Sequence, residues 1–237
     1  MSDRPNFVIQ ILSDVHKIIG TLRLLTQASK QPIVVSEYKF TKGEYMSKIK
    51  ARMSMSVDGF IAGPDASQDN PLGTNGLKLH DWIFDNPKQE NSLLQGIREN
   101  TGAAIIGYNM YYEAIPHWGG TGPLGDDIPC FVLTSEDKVP ENAPAAFTFV
   151  TDGIESALEK AQAVAGDKDV WVGGGAYAIQ QYIQAQLLDE LKLDIVPILL
   201  GGGTSMFGEL GRFIEVDKLE VRDEPNVTHF TYRFKKA

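Results

Sequence analysis

The segment Asp169-Val170-Trp171-Val172-Gly173-Gly174-Gly175-Ala176-Tyr177-Ala178-Ile179 carries the clearest chemical signal in the chain. A short apolar run with strand character meets three glycines, and a helical pattern starts at once. Glycines let backbone N–H groups come close to a ligand, and a helix N-terminus offers unpaired donors with partial positive charge. That geometry suits a pyrophosphate, with Gly173, Gly174, Gly175 and Ala176 as the contacts. A tight strand-to-helix turn without a ligand would use the same residues. The segment is not the G-x-G-x-x-G fingerprint, and no acidic residue follows at the spacing that fingerprint needs. Gly107-Tyr108-Asn109-Met110-Tyr111 repeats the strand–glycine–helix junction after Ala103–Ile106, and Leu133-Thr134-Ser135 ends another apolar run with two hydroxyls. Open α/β sheets bind ligands beyond the C-terminal ends of their parallel strands. Gly107, Tyr108, Thr134 and Ser135 therefore join the triple glycine as candidate contacts around one nucleotide crevice. Gly201-Gly202-Gly203 reads either as a second phosphate cradle or as a flexible connection.

Acid–base chemistry would need carboxylates near these strand ends. Asp58, in Ser54-Met55-Ser56-Val57-Asp58-Gly59, and Asp81, beside the aromatic Trp82, are the catalytic candidates; Glu113 follows the Gly107 junction. Each also suits a turn or a solvated surface. The four histidines at 16, 80, 117 and 229 show no metal-ligand spacing, and with Cys130 as the single cysteine no metal site is expected. There is no G-x-S-x-G elbow and no Walker loop, so hydrolase and kinase chemistry find no support.

Composition narrows the setting. The formal net charge of −9 disfavours contact with phosphate backbones, so nucleic acid is not an expected partner. A lone cysteine suits a reducing cytosol. No apolar run approaches the roughly 18 residues of a membrane span, and the N-terminus lacks the basic start and unbroken apolar stretch of a signal peptide. A cytoplasmic location with no membrane contact follows as the expectation. At 237 residues, one domain or one domain plus an appendage is the default.

The elements that must position these residues divide the chain in two. Apolar positions at Val8, Ile11, Leu12, Val15, Ile18, Ile19, Leu22 and Leu25 predict an amphipathic helix over 7–28, and Ile33-Val34-Val35 a short strand. Residues 1–46 are read as an extension, either an arm that docks or a segment outside the working domain. From 47 to 237 strands alternate with helices. Strands are expected at 48–56, 103–106, 130–133, 147–150, 170–172 and 190–200, with Pro197 near the end of the last. Helices are expected at 79–84, 89–100, from Gly107 through Tyr112, at 154–165 with Asp152 as cap, and at 177–185. Residues 213–222 and 228–234 predict a closing antiparallel pair. This is an α/β sheet, mainly parallel with an antiparallel edge.

Met53-Ser54-Met55-Ser56-Val57-Asp58-Gly59-Phe60-Ile61-Ala62 resembles the opening strand of dihydrofolate reductase-like proteins, in particular the C-terminal reductase domain of the bifunctional riboflavin-biosynthesis deaminase/reductase. Ile106-Gly107 through Met110-Tyr111 with Glu113, Val172 through Gly175, Leu188-Asp189-Glu190-Leu191, Pro197 through Gly201 and Met206-Phe207 extend the likeness over about 48–236. The resemblance implies a dihydrofolate reductase-like three-layer fold with helices on both faces of a mostly parallel mixed sheet. It implies an NAD(P)H-dependent oxidoreductase that reduces a small pyrimidine- or pterin-like substrate. Pyrophosphate would lie at Gly173–Gly175 and near Gly107, Thr134 and Ser135 beside the adenosine ribose, and the substrate ring near Val57, Asp58 and Trp82. A homodimer is a further implication. The family's arginine after the first glycine is Tyr108 here, and folate reductases' arginine after the triple glycine is Ala176. The resemblance implies NADPH as the cofactor; arginine is the natural partner of its 2′-phosphate, so the replacements at 108 and 176 leave NADH open. A non-catalytic nucleotide-binding or regulatory protein of the same fold, and a true dihydrofolate reductase, are the alternatives.

Overall fold

A computed structural model describes residues 47–85 and 87–235; the helix expected over 7–28 and the strand at 33–35 lie outside them. The strands are β1 (Ile49–Ser56), β2 (Phe60–Ala62), β3 (Thr101–Gly107), β4 (Cys130–Leu133), β5 (Phe147–Val150), β6 (Asp169–Gly174), β7 (Glu190–Val196), β8 (Thr204–Ser205), β9 (Val216–Glu224) and β10 (Val227–Phe234). A 3-10 turn at Gly76–His80 leads into α1 (Asp81–Phe84), followed by α2 (Pro87–Asn100), α3 (Tyr108–Ala114), α4 (Ile154–Ala165) and α5 (Ala176–Gln184).

Eight strands make one sheet in the order β5-β4-β3-β6-β1-β7-β10-β9, and β2 pairs with β8 in a separate ribbon. The six strands from β5 to β7 run parallel. β10 turns antiparallel onto β7, and β9 closes the edge. β3, β4 and β6 are apolar without alternation because both faces are covered. Ala103 and Ile105 pack beneath α4 and α5 with Ala157, Ala161, Ile179 and Tyr182. Ala104 and Ile106 pack on the opposite face with Tyr111 of α3, Cys130 and Val132. The small residues of α4 let it approach closely: a Cβ on Gly102 would lie 2.2 Å from the Ala165 carbonyl oxygen. The Tyr182 hydroxyl donates to the Ile154 carbonyl at 2.9 Å and joins the two helices of that layer.

Several boundaries differ from the sequence expectation. β7 ends at Val196 rather than running to Leu200. Pro197 has no N–H for a ladder, and the Ile198 carbonyl instead accepts from Val57 N at 3.0 Å. The closing pair sits at 216–224 and 227–234, with a shorter turn than expected. The cap of α4 is Gly153, at a positive φ of 103° that favours glycine, not Asp152. The Asp152 carboxylate braces the first turn from outside, accepting from the Ser156 hydroxyl at 2.8 Å and from Lys160 at 3.2 Å.

Cys130 is 2% exposed, and burial pushes its thiol up to about 12. The thiolate is the reactive form. Native protein at pH 8 is therefore expected to show no labelling by a thiol reagent over minutes, with one equivalent reacting in denaturant. Fast labelling of native protein would contradict this placement.

Candidate functional site

The triple glycine ends β6 and opens α5, and its three positions differ in what they require. A Cβ at 173 would lie 2.5 Å from the Trp171 ring. Gly174 has φ 120°, and a Cβ there would approach the Met53 methyl to 2.9 Å. The Gly174–Gly175 peptide is cis. At Gly175 a Cβ would meet nothing within 4 Å, so this residue borders open space. Gly175 is also the N-cap of α5, and no side chain caps that helix. The first amides to return a bond to it are those of Ala178 and Ile179, both onto the Gly175 carbonyl. The Ala176 and Tyr177 amides at the head of a nine-residue helix are thus left without a helical acceptor.

The neighbouring strand ends converge here. Ile106 pairs with Gly174, and a Cβ on Gly107 would lie 3.8 Å from Gly175 N. Gly107 in turn pairs with Leu133, which places Thr134 and Ser135 one strand further along. Their hydroxyls are engaged locally: Thr134 Oγ1 donates to the Ser135 carbonyl at 3.3 Å, and the Ser135 hydroxyl bonds the Asp137 carboxylate, holding that carboxyl below its usual range. Tyr108 stacks on Tyr112 at 5.9 Å between centroids and carries Lys138 Nζ over its ring at 5.4 Å. Gly107, Tyr108, Gly173, Gly174, Gly175 and Ala176 therefore form one neighbourhood, with Lys138 as its cation. The sequence signal for Lys138 was only its place four residues after Thr134.

Asp58 stands just after β1, where it was expected, and its carboxylate is engaged by three donors. It accepts from the Ser56 hydroxyl at 2.6 Å, from Leu200 N at 3.1 Å and from Gly201 N at 2.7 Å. The Ser56 hydrogen bond, with the Gly201 and Leu200 amides, holds the carboxyl below its usual range. It has no proton to give at neutral pH and serves as a clasp between the β1–β2 turn and the 198–203 loop. The same contacts decide the second glycine cluster. The Leu200 and Gly201 amides are spent on Asp58, and Gly203, at φ 119°, would place a Cβ 2.0 Å from the Ala62 carbonyl oxygen. Gly203 is thus fitted against the chain at Ala62, whereas a Cβ at Gly201 or Gly202 would meet nothing within 4 Å.

The substrate-side residues differ in exposure. Val57 is 61% exposed at the mouth of β1, whereas Trp82 is 7% exposed and packed with Leu79, Val196 and Val227. The Trp82 indole N–H donates to the Leu79 carbonyl at 3.1 Å. Asp81 is exposed at the start of α1. Trp82 instead borders a charged cluster. Arg52 of β1 grips the Asp194 carboxylate of β7 through Nε at 2.6 Å and Nη2 at 2.9 Å. His229 Nδ1 meets the same carboxylate at 2.5 Å. Trp82 packs edge-on against His229, with centroids 5.0 Å apart, and lies under the Arg52 guanidinium at 5.8 Å. Burial pushes the Asp194 carboxyl up, and the His229 bond together with Arg52 more than reverses this, so it sits below its usual range. The available signal for this cluster was Asp194, a carboxylate alternating with apolar residues in Leu191-Lys192-Leu193-Asp194-Ile195.

With this geometry in view, the comparisons with known proteins are specific. Residues 47–230 match the family model described as the RibD C-terminal domain. A putative riboflavin biosynthesis protein from Shewanella sp. PV-4 superposes with a TM-score of 0.63 at 23% identity, over 80% of this chain and 99% of that one. The diaminohydroxyphosphoribosylaminopyrimidine deaminase/5-amino-6-(5-phosphoribosylamino)uracil reductase of Thermotoga maritima superposes with a TM-score of 0.57 at 15% identity, over 80% of this chain and 57% of that one. Dihydrofolate reductase from Enterococcus faecalis, solved with NADP(H), gives a TM-score of 0.50 at 17% identity, over 80% of this chain and 97% of that one. The fold is the dihydrofolate reductase-like fold.

Proposed function

The chain belongs to the RibD C-terminal domain family, and from that premise we propose that it is a nicotinamide-dependent reductase of a small pyrimidine-like substrate. The observation that carries the reading is the open side of Gly175 at the uncapped head of α5, with Gly107 alongside. These groups fit a dinucleotide: the Ala176 and Tyr177 amides have no helical acceptor, and a Cβ on the neighbouring Gly175 would meet nothing within 4 Å, which leaves room for a pyrophosphate. Bound there, the cofactor would supply a hydride; the protein would supply position and shielding from water. The Ala176 and Tyr177 amides would hold the phosphates. Gly173 and Gly174 would keep the loop low enough for that approach. Asp58 would fix the two loops that bound the site on the β1 side, and Val57 would line its mouth.

NADPH is the proposed form of the cofactor. Tyr108 and Ala176 stand where arginines were expected, and Lys138, carried on the Tyr108 ring, supplies a cation at that end of the crevice. A charge-assisted hydrogen bond contributes about 1.5–3 kcal/mol. Lys138→Gln is therefore expected to cut the preference for NADPH over NADH by about tenfold or more, read from paired fluorescence titrations. An unchanged ratio would remove Lys138 from this role.

A second reading, a nucleotide-binding protein without turnover, is favoured by one observation: Asp58 is committed to its clasp and offers no proton. Consumption of reduced dinucleotide in the presence of 5-amino-6-(5-phosphoribosylamino)uracil separates the two. Turnover that depends on both components supports the reductase. Saturable nucleotide binding without oxidation, across pyrimidine and dihydropterin substrates, would replace it with the binder. Inhibition by an antifolate would mark a true dihydrofolate reductase.

A further inference from the structure

On the β1 side of the strand-end crevice, the large apolar side chains of Val57, Leu199, Tyr177 and Phe207 are between 40% and 75% exposed. Backbone contacts bring them to one rim. The Val57 amide donates to the Ile198 carbonyl at 3.0 Å, next to Leu199. The Met206 amide donates to the Gly59 carbonyl at 2.8 Å, which brings Phe207 alongside the β1–β2 turn. Gln180 of α5 donates to the Met206 carbonyl at 2.9 Å, and Tyr177 lies about one turn earlier on that helix. We propose that this rim receives an uncharged heterocyclic ring that carries no phosphate. The inference rests on the reductase reading for its location and goes beyond it in the substrate that it selects.

The donors that anchor the rim are spent inside the fold. The Ser56 hydroxyl and the Leu200 and Gly201 amides hold Asp58. The Ile198 amide returns to the Val196 carbonyl at 2.7 Å, and the Ser205 hydroxyl donates to the Phe207 carbonyl at 2.8 Å. The charge built into the rim is the ionised Asp58 carboxylate. The segments that form it, 53–77, 169–191 and 193–211, contain no Lys, Arg or His. Lys138 stands over the Tyr108 ring, beyond the end of β3 and two strands away from β1. The Ala176 and Tyr177 amides, on the same side, are the ones assigned to the cofactor's pyrophosphate. A phosphate owes its affinity to cations and free N–H groups. Against this rim it would lose water, meet a like charge and gain neither. An uncharged ring gives up little on leaving water and buries apolar surface against Val57, Leu199, Tyr177 and Phe207.

The test is calorimetry on the full chain with saturating NADP+, so that no hydride is transferred. Two ligands differ only in the phosphate: 5-amino-6-(5-phosphoribosylamino)uracil and its dephosphorylated form. The dephosphorylated compound is expected to bind more tightly by about tenfold or more. Leu199→Ser, at an exposed position where substitution is tolerated, is expected to weaken that binding by about three- to tenfold. Equal or tighter binding of the phosphorylated compound overturns the proposal, as does unchanged affinity in Leu199→Ser. Absence of saturable binding by both the dephosphorylated compound and a neutral dihydropterin overturns it too. Dinucleotide binding, measured on the same samples, reports on the reductase reading. Its failure removes that reading, whereas intact dinucleotide binding with a preference for the phosphorylated compound removes this inference alone.

Discussion

Gly175→Ala is expected to weaken binding of reduced dinucleotide by about 10–100-fold while leaving stability within about 0.5 kcal/mol of the parent. The two effects separate because the added methyl meets no protein atom within 4 Å. The N-cap φ of −68° is one that alanine adopts without strain. Stability therefore has no reason to change. The methyl instead enters the space beside the Ala176 and Tyr177 amides, where a pyrophosphate would lose one or two charge-assisted hydrogen bonds at about 1.5–3 kcal/mol each. Gly173→Ala supplies the contrast. Its methyl would lie 2.5 Å from the Trp171 ring, and overpacking of that kind costs about 1–3 kcal/mol. Thermal unfolding together with nucleotide titration of both variants reads the difference. Equal nucleotide affinity in Gly175→Ala and parent would place the pyrophosphate elsewhere.

Arg52→Ala is expected to destabilise the chain by about 3–5 kcal/mol, because it leaves the Asp194 carboxylate buried with its main counter-charge gone. For a domain of this size that is a fall in Tm of about 6–20 °C. Asp194 is 2% exposed, so water cannot replace the lost guanidinium. Arg52→Ala combined with Asp194→Ala should recover part of the loss, since it removes the stranded charge as well. The same carboxylate sets an acid limb. Its folded value lies below its unfolded value of about 3.9, so its contribution is present above that pH and is lost as pH falls toward and through the folded value. Parent protein is accordingly expected to lose stability below about pH 4 more steeply than Asp194→Asn, measured by urea unfolding at a series of pH values. Parallel slopes for the two proteins would remove Asp194 from the acid response.

The parts of the fold that were legible share a physical cause. β3, β4 and β6 lie in the parallel sheet, are buried on both faces, and so read as unbroken apolar runs. The glycine junctions at 107 and 173–175 stood out because helices start at once after them. β2 and β8 had no such mark. They are three and two residues long, and they exist because the Met206 amide donates to the Gly59 carbonyl from 147 residues away in a register no local pattern encodes. Asp58 was visible as a carboxylate at a strand end, but its partners, the amides of 200 and 201, lie 142 and 143 residues further on. The Arg52–Asp194–His229 cluster was hidden by the same distance, with 142 residues between the first two and 35 between the last two. Trp82 was read as an aromatic for a substrate ring; the structure buries it against that cluster, because α1 folds over the end of β7.

The central claim is that a reduced nicotinamide dinucleotide binds across Gly107 and Gly173–Ala176. Titration of the purified chain with NADPH, followed by the nicotinamide fluorescence, tests it most directly. The account predicts saturable one-to-one binding with Kd in the micromolar range, on the order of 1–100 µM, weakened by about 10–100-fold in Gly175→Ala. Absence of saturable binding by NADPH and NADH alike, in protein whose thermal unfolding is cooperative, would contradict it.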